Sequence, residues 1–322
     1  MDLLETKGLT RAFRSRKSPF AKPIEVQALR GVDLSIRQGE ILGLVGESGS
    51  GKSTLGNLIA GLKKPTQGQI CYRGQDITRS KDRRAHGIDT EIQMIFQDSV
   101  ASFNPKKTLG WLLEEPLRLH HRTKSRTQRQ EILQELLHRV GLSRELLTRY
   151  PKELSGGQAQ RFNIALALIL NPELLVADEA VSSLDVSLQA QVLNLMNDLK
   201  EELGLTYLFI SHNLDVVRAM SDRIAVMYLG QIVELGPTED VYQNRAHPYT
   251  QALIAAVPKL DVSPAKSLLL KGELPDPSSI PTGCPFHPRC PKALPQCALE
   301  DPAPRLVGQS RVRCHLWPTN PA

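Results

Sequence analysis

Ile41-Leu42-Gly43-Leu44-Val45-Gly46-Glu47-Ser48-Gly49-Ser50-Gly51-Lys52-Ser53 is the stretch on which the fold turns. Its first five residues form a short apolar run that stops at a glycine-rich loop, the pattern of a buried strand feeding a turn. Directly afterwards Leu55, Leu58, Ile59 and Leu62 recur at helical spacing, and Gly61 with Pro65 closes the segment. Strand, glycine loop and helix are therefore contiguous. Gly46 to Ser53 satisfy the pattern of a phosphate-binding loop. Glycines let the backbone fold close around phosphate with its amides pointing inward; Lys52 adds a point charge and Ser53 a magnesium ligand.

Outward from this unit, the first 35 or so residues read as β-rich. Between about Asp98 and Ser155 the pattern turns helical and polar, and Ile132, Leu133, Leu136, Leu137 and Val140 form one apolar stripe. This reads as a helical subdomain, about 98–155, inserted into an α/β core. Two buried strands follow, Leu174 to Ala177 and Leu205 to Ile210. Between them lies a helix carrying Val192, Leu193, Leu195, Met196, Leu199 and Leu203 and ended by Gly204. Alternating strand and helix predicts a parallel sheet. After Val257 the composition shifts: thirteen of the chain's 22 prolines lie there, which leaves little room for regular structure or core. A catalytic domain over 1–257 and a small extension over 258–322 are expected, with the extension folded apart from the phosphate site.

The whole chain, 322 residues with 41% hydrophobic and 23% charged, has the balance of a folded globular protein rather than a disordered one. A net charge of +6 would suit an anionic partner, but most of it occurs in mixed-sign helical stretches. The basic run Arg11, Arg14, Arg16, Lys17 and Lys22 reads as a solvated loop. The longest apolar stretches fall far short of the ~20 residues that cross a bilayer. The first residues, Met1 to Glu5, carry no export signal, so a reducing cytosol is expected.

A phosphate loop indicates a nucleotide without saying which machine uses it. Leu154-Ser155-Gly156-Gly157-Gln158, just before a helix, places a serine and two glycines at a helix start, a second anion site with free amides. With this pentapeptide the chain resembles the ABC ATPases over nearly its whole length. The resemblance implies an ABC-type P-loop NTPase: a RecA-like parallel-sheet core, an N-terminal antiparallel β subdomain and an inserted helical subdomain. It also implies that Ser155, Gly156, Gly157 and Gln158 close over ATP held by a partner's loop, while Gly46, Glu47, Ser48, Gly49, Ser50, Gly51, Lys52, Ser53 and Thr54 hold the chain's own. Leu174 to Ala177 run into Asp178 and Glu179, which look like the Walker B strand. Asp178 is the magnesium carboxylate, with Ser53 and Gln97, and Glu179 is the general base. Gln97 matches the Q-loop, His212 the switch histidine that contacts the γ-phosphate, and Asp185 the D-loop. Phe13 is the candidate to stack on adenine. Ala180, Asn213 and Leu166 depart from residues common in relatives, and a looser backbone beside Glu179 is expected from Ala180.

Gln97 to Pro105, Tyr228 to Glu234, and His247-Pro248-Tyr249-Thr250 look like the peptide and nickel importer subgroup. That resemblance implies a second, non-identical ATPase subunit, two transmembrane permease subunits and an external substrate-binding protein. It places the chain on the cytoplasmic face of the inner membrane. The competing reading, a soluble ABC ATPase acting on nucleic acid, fits less well, because such proteins carry two cassettes or long coiled-coil arms. Only one phosphate loop and one signature are present here.

Cys284, Cys290, Cys297 and Cys314 cluster in the tail, while Cys71 stands alone. In a cytosolic protein such a cluster suggests metal. The spacing is wide for zinc, with His287 and His315 as conceivable substitutes. Four thiolates can also hold a 4Fe-4S cluster, as relatives with a similar tail do. Unligated or partly disulfide-bonded thiols are the third reading.

Overall fold

The computed structural model describes residues 2–15, 24–98, 101–120, 125–256 and 273–318. Arg16, Lys17 and Lys22, Ser99 and Val100 of the Gln97 to Pro105 stretch, and the break expected near 258 lie outside the described residues.

An eight-stranded sheet forms the centre. Ile92–Ile95, Leu174–Asp178, Thr206–Ile210, Ile41–Val45 and Arg223–Tyr228 lie side by side in parallel, in that order. Gln231–Pro237 then turns back antiparallel on Arg223–Tyr228. The apolar runs are continuous because both faces are covered. Leu42, Leu44, Leu174, Val176, Leu208 and Ile210 face one cluster with Leu55, Leu58 and Ile59. The alternate residues Ile41, Val45, Leu175, Ala177, Tyr207 and Phe209 face the other. Gly43 is a glycine because a Cβ there would stand 2.3 Å from Val217 Cγ1 and 2.5 Å from Ser221 Oγ, so helix Leu214–Met220 could not lie so close to the sheet.

Asp2–Ser15, Ile24–Arg37, Gln67–Tyr72 and Gln75–Asp76 form the separate antiparallel sheet expected at the N-terminus. The helical insert holds Leu109–Leu119 and Arg126–Arg139, started by the side chains of Thr108 and Ser125. Leu133, Leu136, Leu137 and Val140 are buried as the stripe predicts.

The proline-rich tail has little regular structure among its described residues, as expected, but it is not folded apart from the core. Ser310–Val312 pairs with Gln231–Pro237, and Arg305–Val307 pairs with Ser310–Val312, so the tail extends the central sheet. Phe286 is buried in the main hydrophobic cluster. Prolines forbid long helices and interior strands, but a two-stranded ribbon at the sheet edge needs few donors and tolerates them nearby.

Candidate active site

The sheet register builds the site. Leu44 is level with Ile210, Ile210 with Asp178, and Ala177 with Ile95. The carboxyl ends of four parallel strands therefore reach one edge together, where α/β sheets bind ligands. Gly46, Gln97, Glu179 and His212 follow those ends within two residues.

At the first strand end the loop tightens around glycines. A Cβ on Gly46 would meet the Met227 carbonyl oxygen at 2.2 Å, and Gly51, at φ 110°, would place one 2.5 Å from the Ala28 carbonyl oxygen. Helix Lys52–Ile59 then starts with its free amides toward the loop. Lys52 is buried, and its Nζ donates to the carbonyls of Gly46 (2.7 Å) and Glu47 (3.0 Å). Burial lowers its pKa, against the pull of Glu179, Asp178 and Glu47. A cavity of about 300 Å³ opens here, lined by Ala28, Ser48, Gly49, Gly51, Lys52, Ser53, Thr54, Gln97 and Glu179.

Ser53 Oγ donates to Asp178 Oδ1 at 3.0 Å. Burial raises the pKa of Asp178 even though Ser53 and Lys52 favour its charge. A desolvated carboxylate beside a hydroxyl suits a hard cation, so this pair fits magnesium. Gln97 is turned the other way: its Nε2 donates to Glu179 Oε2 at 2.9 Å. His212 Nδ1 lies 3.3 Å from Glu179 Oε1. The carboxylate of Glu179 is thus held from two sides. Its backbone, at φ 50°, is held as well. Its N–H donates to Ile210 O (2.9 Å), and its carbonyl accepts from Ser182 N–H (3.2 Å) and Oγ (3.0 Å). The looseness expected from Ala180 is offset by these bonds. Asn213 caps helix Leu214–Met220 by accepting from the amides of Asp215 and Val216.

The signature residues stand elsewhere. Ser155 and Gln158 form a capping box: Ser155 Oγ accepts from Gln158 N–H (3.3 Å), and Gln158 Oε1 accepts from Ser155 N–H (3.1 Å). Ser155, Gly157 and Gln158, with Arg161 and Leu188, line a cavity that shares no residue with the phosphate-loop cavity. Gly156 occupies the first turn of helix Gly156–Leu168. Asp185 caps helix Val186–Leu203 through Leu188 N–H (2.9 Å), beside Val186, which is 83% exposed. Phe13 does not line the phosphate-loop cavity; its ring is covered by Arg11 at 4.6 Å and Lys63 at 5.1 Å.

Sequence reasoning missed several supporting residues. Asn163, on the signature helix, donates to the Phe96 carbonyl at 3.0 Å and anchors the root of Gln97. Buried Glu234 accepts from the amides of Ala246 (3.0 Å) and His247 (2.9 Å), and so holds the His247-Pro248-Tyr249-Thr250 turn. Tyr249 OH then accepts from the Glu47 N–H at 2.9 Å. A buried acid thirteen residues from His247 is a signal only once the turn is known to be folded back.

The tail brings its four cysteines into one neighbourhood as free thiols. Burial pushes Cys284 up to about 12 and Cys314 up to about 11, and neighbouring cysteines add to both shifts. Cys297 Sγ accepts the Leu294 N–H at 3.4 Å, and the backbone N–H groups of Phe286, Lys292 and Leu316 pull Cys284, Cys290 and Cys314 back down against burial. Among the described residues no three His, Cys, Asp or Glu side chains converge as a single metal ion requires. His287 and His315 are engaged with the carbonyls of Cys284 and Glu300, each at 2.9 Å.

Comparison with known proteins agrees with this architecture. The family described as "ABC transporter" matches residues 29–182, and "Oligopeptide/dipeptide transporter, C-terminal region" matches 233–297. The oligopeptide transport ATP-binding protein AppF of Bacillus subtilis is 49% identical over 98% of this chain and 97% of its own length. OppF of Escherichia coli, also an oligopeptide transport ATP-binding protein, is 49% identical over 91% of this chain and 88% of its own. A dimeric ATP-binding cassette, MJ0796, solved in a post-hydrolysis state with ADP and Pi, superposes with a TM-score of 0.65 at 30% identity. The match covers 73% of this chain and 98% of that one. The chain belongs to the ATP-binding subunits of the ABC transporters, in the oligopeptide and dipeptide branch that carries the C-terminal region.

Proposed function

We propose that this chain powers peptide import through a membrane transporter by hydrolysing ATP on the cytoplasmic face of the inner membrane. Gly46 to Thr54 hold the phosphates, Ser53 and Asp178 hold magnesium with Gln97 nearby, and Phe13, which lies outside the phosphate-loop cavity, stacks on the base once Arg11 and Lys63 uncover its ring. Bound magnesium would neutralise charge that develops on the phosphate oxygens. Glu179 accepts the proton of the attacking water, oriented by Gln97, while His212 contacts the γ-phosphate. The observation that carries this reading is the convergence of Lys52, Ser53, Asp178, Glu179, Gln97 and His212 on one sheet edge.

The separation of the two cavities supports a two-chain ATP sandwich, in which Ser155, Gly156, Gly157, Gln158 and Asp185 serve the nucleotide of a second, non-identical ATPase. Two permease subunits receive the helical subdomain, about 98–155, and an external binding protein delivers cargo. Among the described residues no helix is long and apolar enough to cross a membrane, so spanning falls to partners. The assembled transporter is expected to raise its ATPase rate when peptide-loaded binding protein is added. A purified chain that responded to loaded binding protein without any permease would overturn the assignment.

Within the 258–322 extension, Cys284, Cys290, Cys297 and Cys314 hold a 4Fe-4S cluster in this reading, with the 1–257 domain left to catalysis. The common neighbourhood of the four thiols and the Leu294 N–H on Cys297 Sγ at 3.4 Å support thiolate ligands, and four thiolates suit such a cluster. A bound cluster would supply the cationic charge that lets such buried thiols ionise. Purified without oxygen, the chain is expected to be brown with about four irons. A colourless protein containing one zinc would refute the cluster.

A further inference from the structure

The extension does not stand apart from the phosphate loop. Arg289 reaches across from it and meets Glu47, the second residue of the loop, in a two-point ion pair. Nη1 donates to Oε2 at 2.7 Å and Nη2 to Oε1 at 3.0 Å. The Arg289 side chain is 5% exposed, and its Nη1 also lies 3.4 Å from Tyr228 OH. Beneath the pair, the rings of Tyr228, Tyr249 and Phe286 pack on one another with centroids 4.6 to 5.4 Å apart. Glu47 is thereby gripped twice, through its carboxylate by Arg289 and through its N–H by Tyr249 OH. Its carbonyl is one of the two that hold Lys52 Nζ. Leu274, also from the extension, would touch a Cβ on Gly49 at 3.5 Å.

A carboxylate in a loop that must receive the phosphates of ATP is electrostatically unfavourable unless it is neutralised. Arg289 neutralises it with a planar fork that also fixes its direction. Arg289 is itself fixed by cysteine chemistry. It ends the turn His287–Arg289, directly before Cys290. That turn is tied by His287 N–H to Cys284 O (3.0 Å), Arg289 N–H to Phe286 O (3.0 Å) and Cys290 N–H to His287 O (3.2 Å). The turn is therefore strung between two of the four sulfurs.

We propose that Arg289 is a positioning residue for the phosphate loop, and that the ligation state of Cys284 and Cys290 sets the chain's affinity for ATP through it. The proposal rests on the readings of Gly46 to Ser53 as the ATP site and of the four cysteines as a ligand set. Ligated sulfurs hold the turn so that Arg289 meets Glu47. Released sulfurs let the turn relax, Glu47 loses its counter-charge beside the phosphates, and ATP binds less tightly.

The test is equilibrium binding of a fluorescent ATP analogue with magnesium to the full-length chain, purified without oxygen. Arg289→Ala is expected to raise Kd about tenfold, with Arg289→Lys in between because an ammonium lacks the fork. Glu47→Gln added to Arg289→Ala should recover most of the loss by removing the unpaired charge, which a misfolded chain would not allow. In the assembled transporter Arg289→Ala should raise KM for ATP by a larger factor than it lowers kcat. Stripping iron with a chelator, or Cys290→Ser, should weaken binding by a similar factor in the parent chain and add little in the Arg289→Ala background. Parent-like affinity in Arg289→Ala, no recovery by Glu47→Gln, or losses that simply multiply would overturn the clamp. A parent chain that binds no nucleotide would bring down the ATP reading itself, and that outcome is distinct from an intact site indifferent to Arg289.

Discussion

Glu179→Gln in the assembled transporter is expected to bind ATP with near-native affinity and to hydrolyse it at least about a hundredfold more slowly, a barrier increase of roughly 2.7 kcal/mol. The substitution keeps the size of the side chain and one oxygen to accept from Gln97, which now donates to Glu179 Oε2 at 2.9 Å. What it removes is the ability to take a proton. The backbone should survive the change, because it is held by Ile210 on one side and Ser182 on the other. Single-turnover hydrolysis and nucleotide binding, measured side by side, decide the matter. Turnover within about threefold of the parent enzyme would move the general base to another group.

Lys52→Ala acts at the opposite end of the cavity and on a different quantity. ATP affinity is expected to fall about a hundredfold, since a buried ammonium making charged hydrogen bonds to phosphate is worth roughly 2–3 kcal/mol. Lys52 has been taken out of water and leans on the Gly46 and Glu47 carbonyls. It is therefore already positioned, and incoming phosphates supply the full counter-charge that two carbonyls supply only in part. Calorimetric titration of the purified chain with ATP and magnesium checks this. Unchanged affinity would mean that the loop amides alone carry binding. The two variants separate the roles: one chain binds without turning over, and the other fails to bind.

The phosphate loop, the Asp178-Glu179 strand end and the signature were legible in the sequence because each is a run of neighbours whose chemistry depends on short spacing. Ile41 to Ser53 could be read as strand, loop and helix since apolar period, glycine and helical spacing all change within that run. Gln97, Glu179 and His212 could be named from the resemblance, but their meeting at 2.9 and 3.3 Å required a register that levels the four strand ends. The tail misled for a physical reason. Proline content predicts which regular elements a segment cannot form, and says nothing about an edge hairpin that borrows its partner strand from elsewhere. Likewise His247-Pro248-Tyr249-Thr250 marked a subgroup without disclosing that Tyr249 props up Glu47.

By itself, then, the sequence determined the nucleotide chemistry, the parallel α/β core and the family, all carried by local patterns of residue type. Only the tertiary structure decided that the cysteine-bearing extension lies against the phosphate loop, with Arg289 on Glu47 across 242 residues. Contacts so distant in the chain are selected by packing around Tyr228, Tyr249 and Phe286 and by charge neutralisation in a buried place, and neither has a period or spacing that a linear sequence could carry.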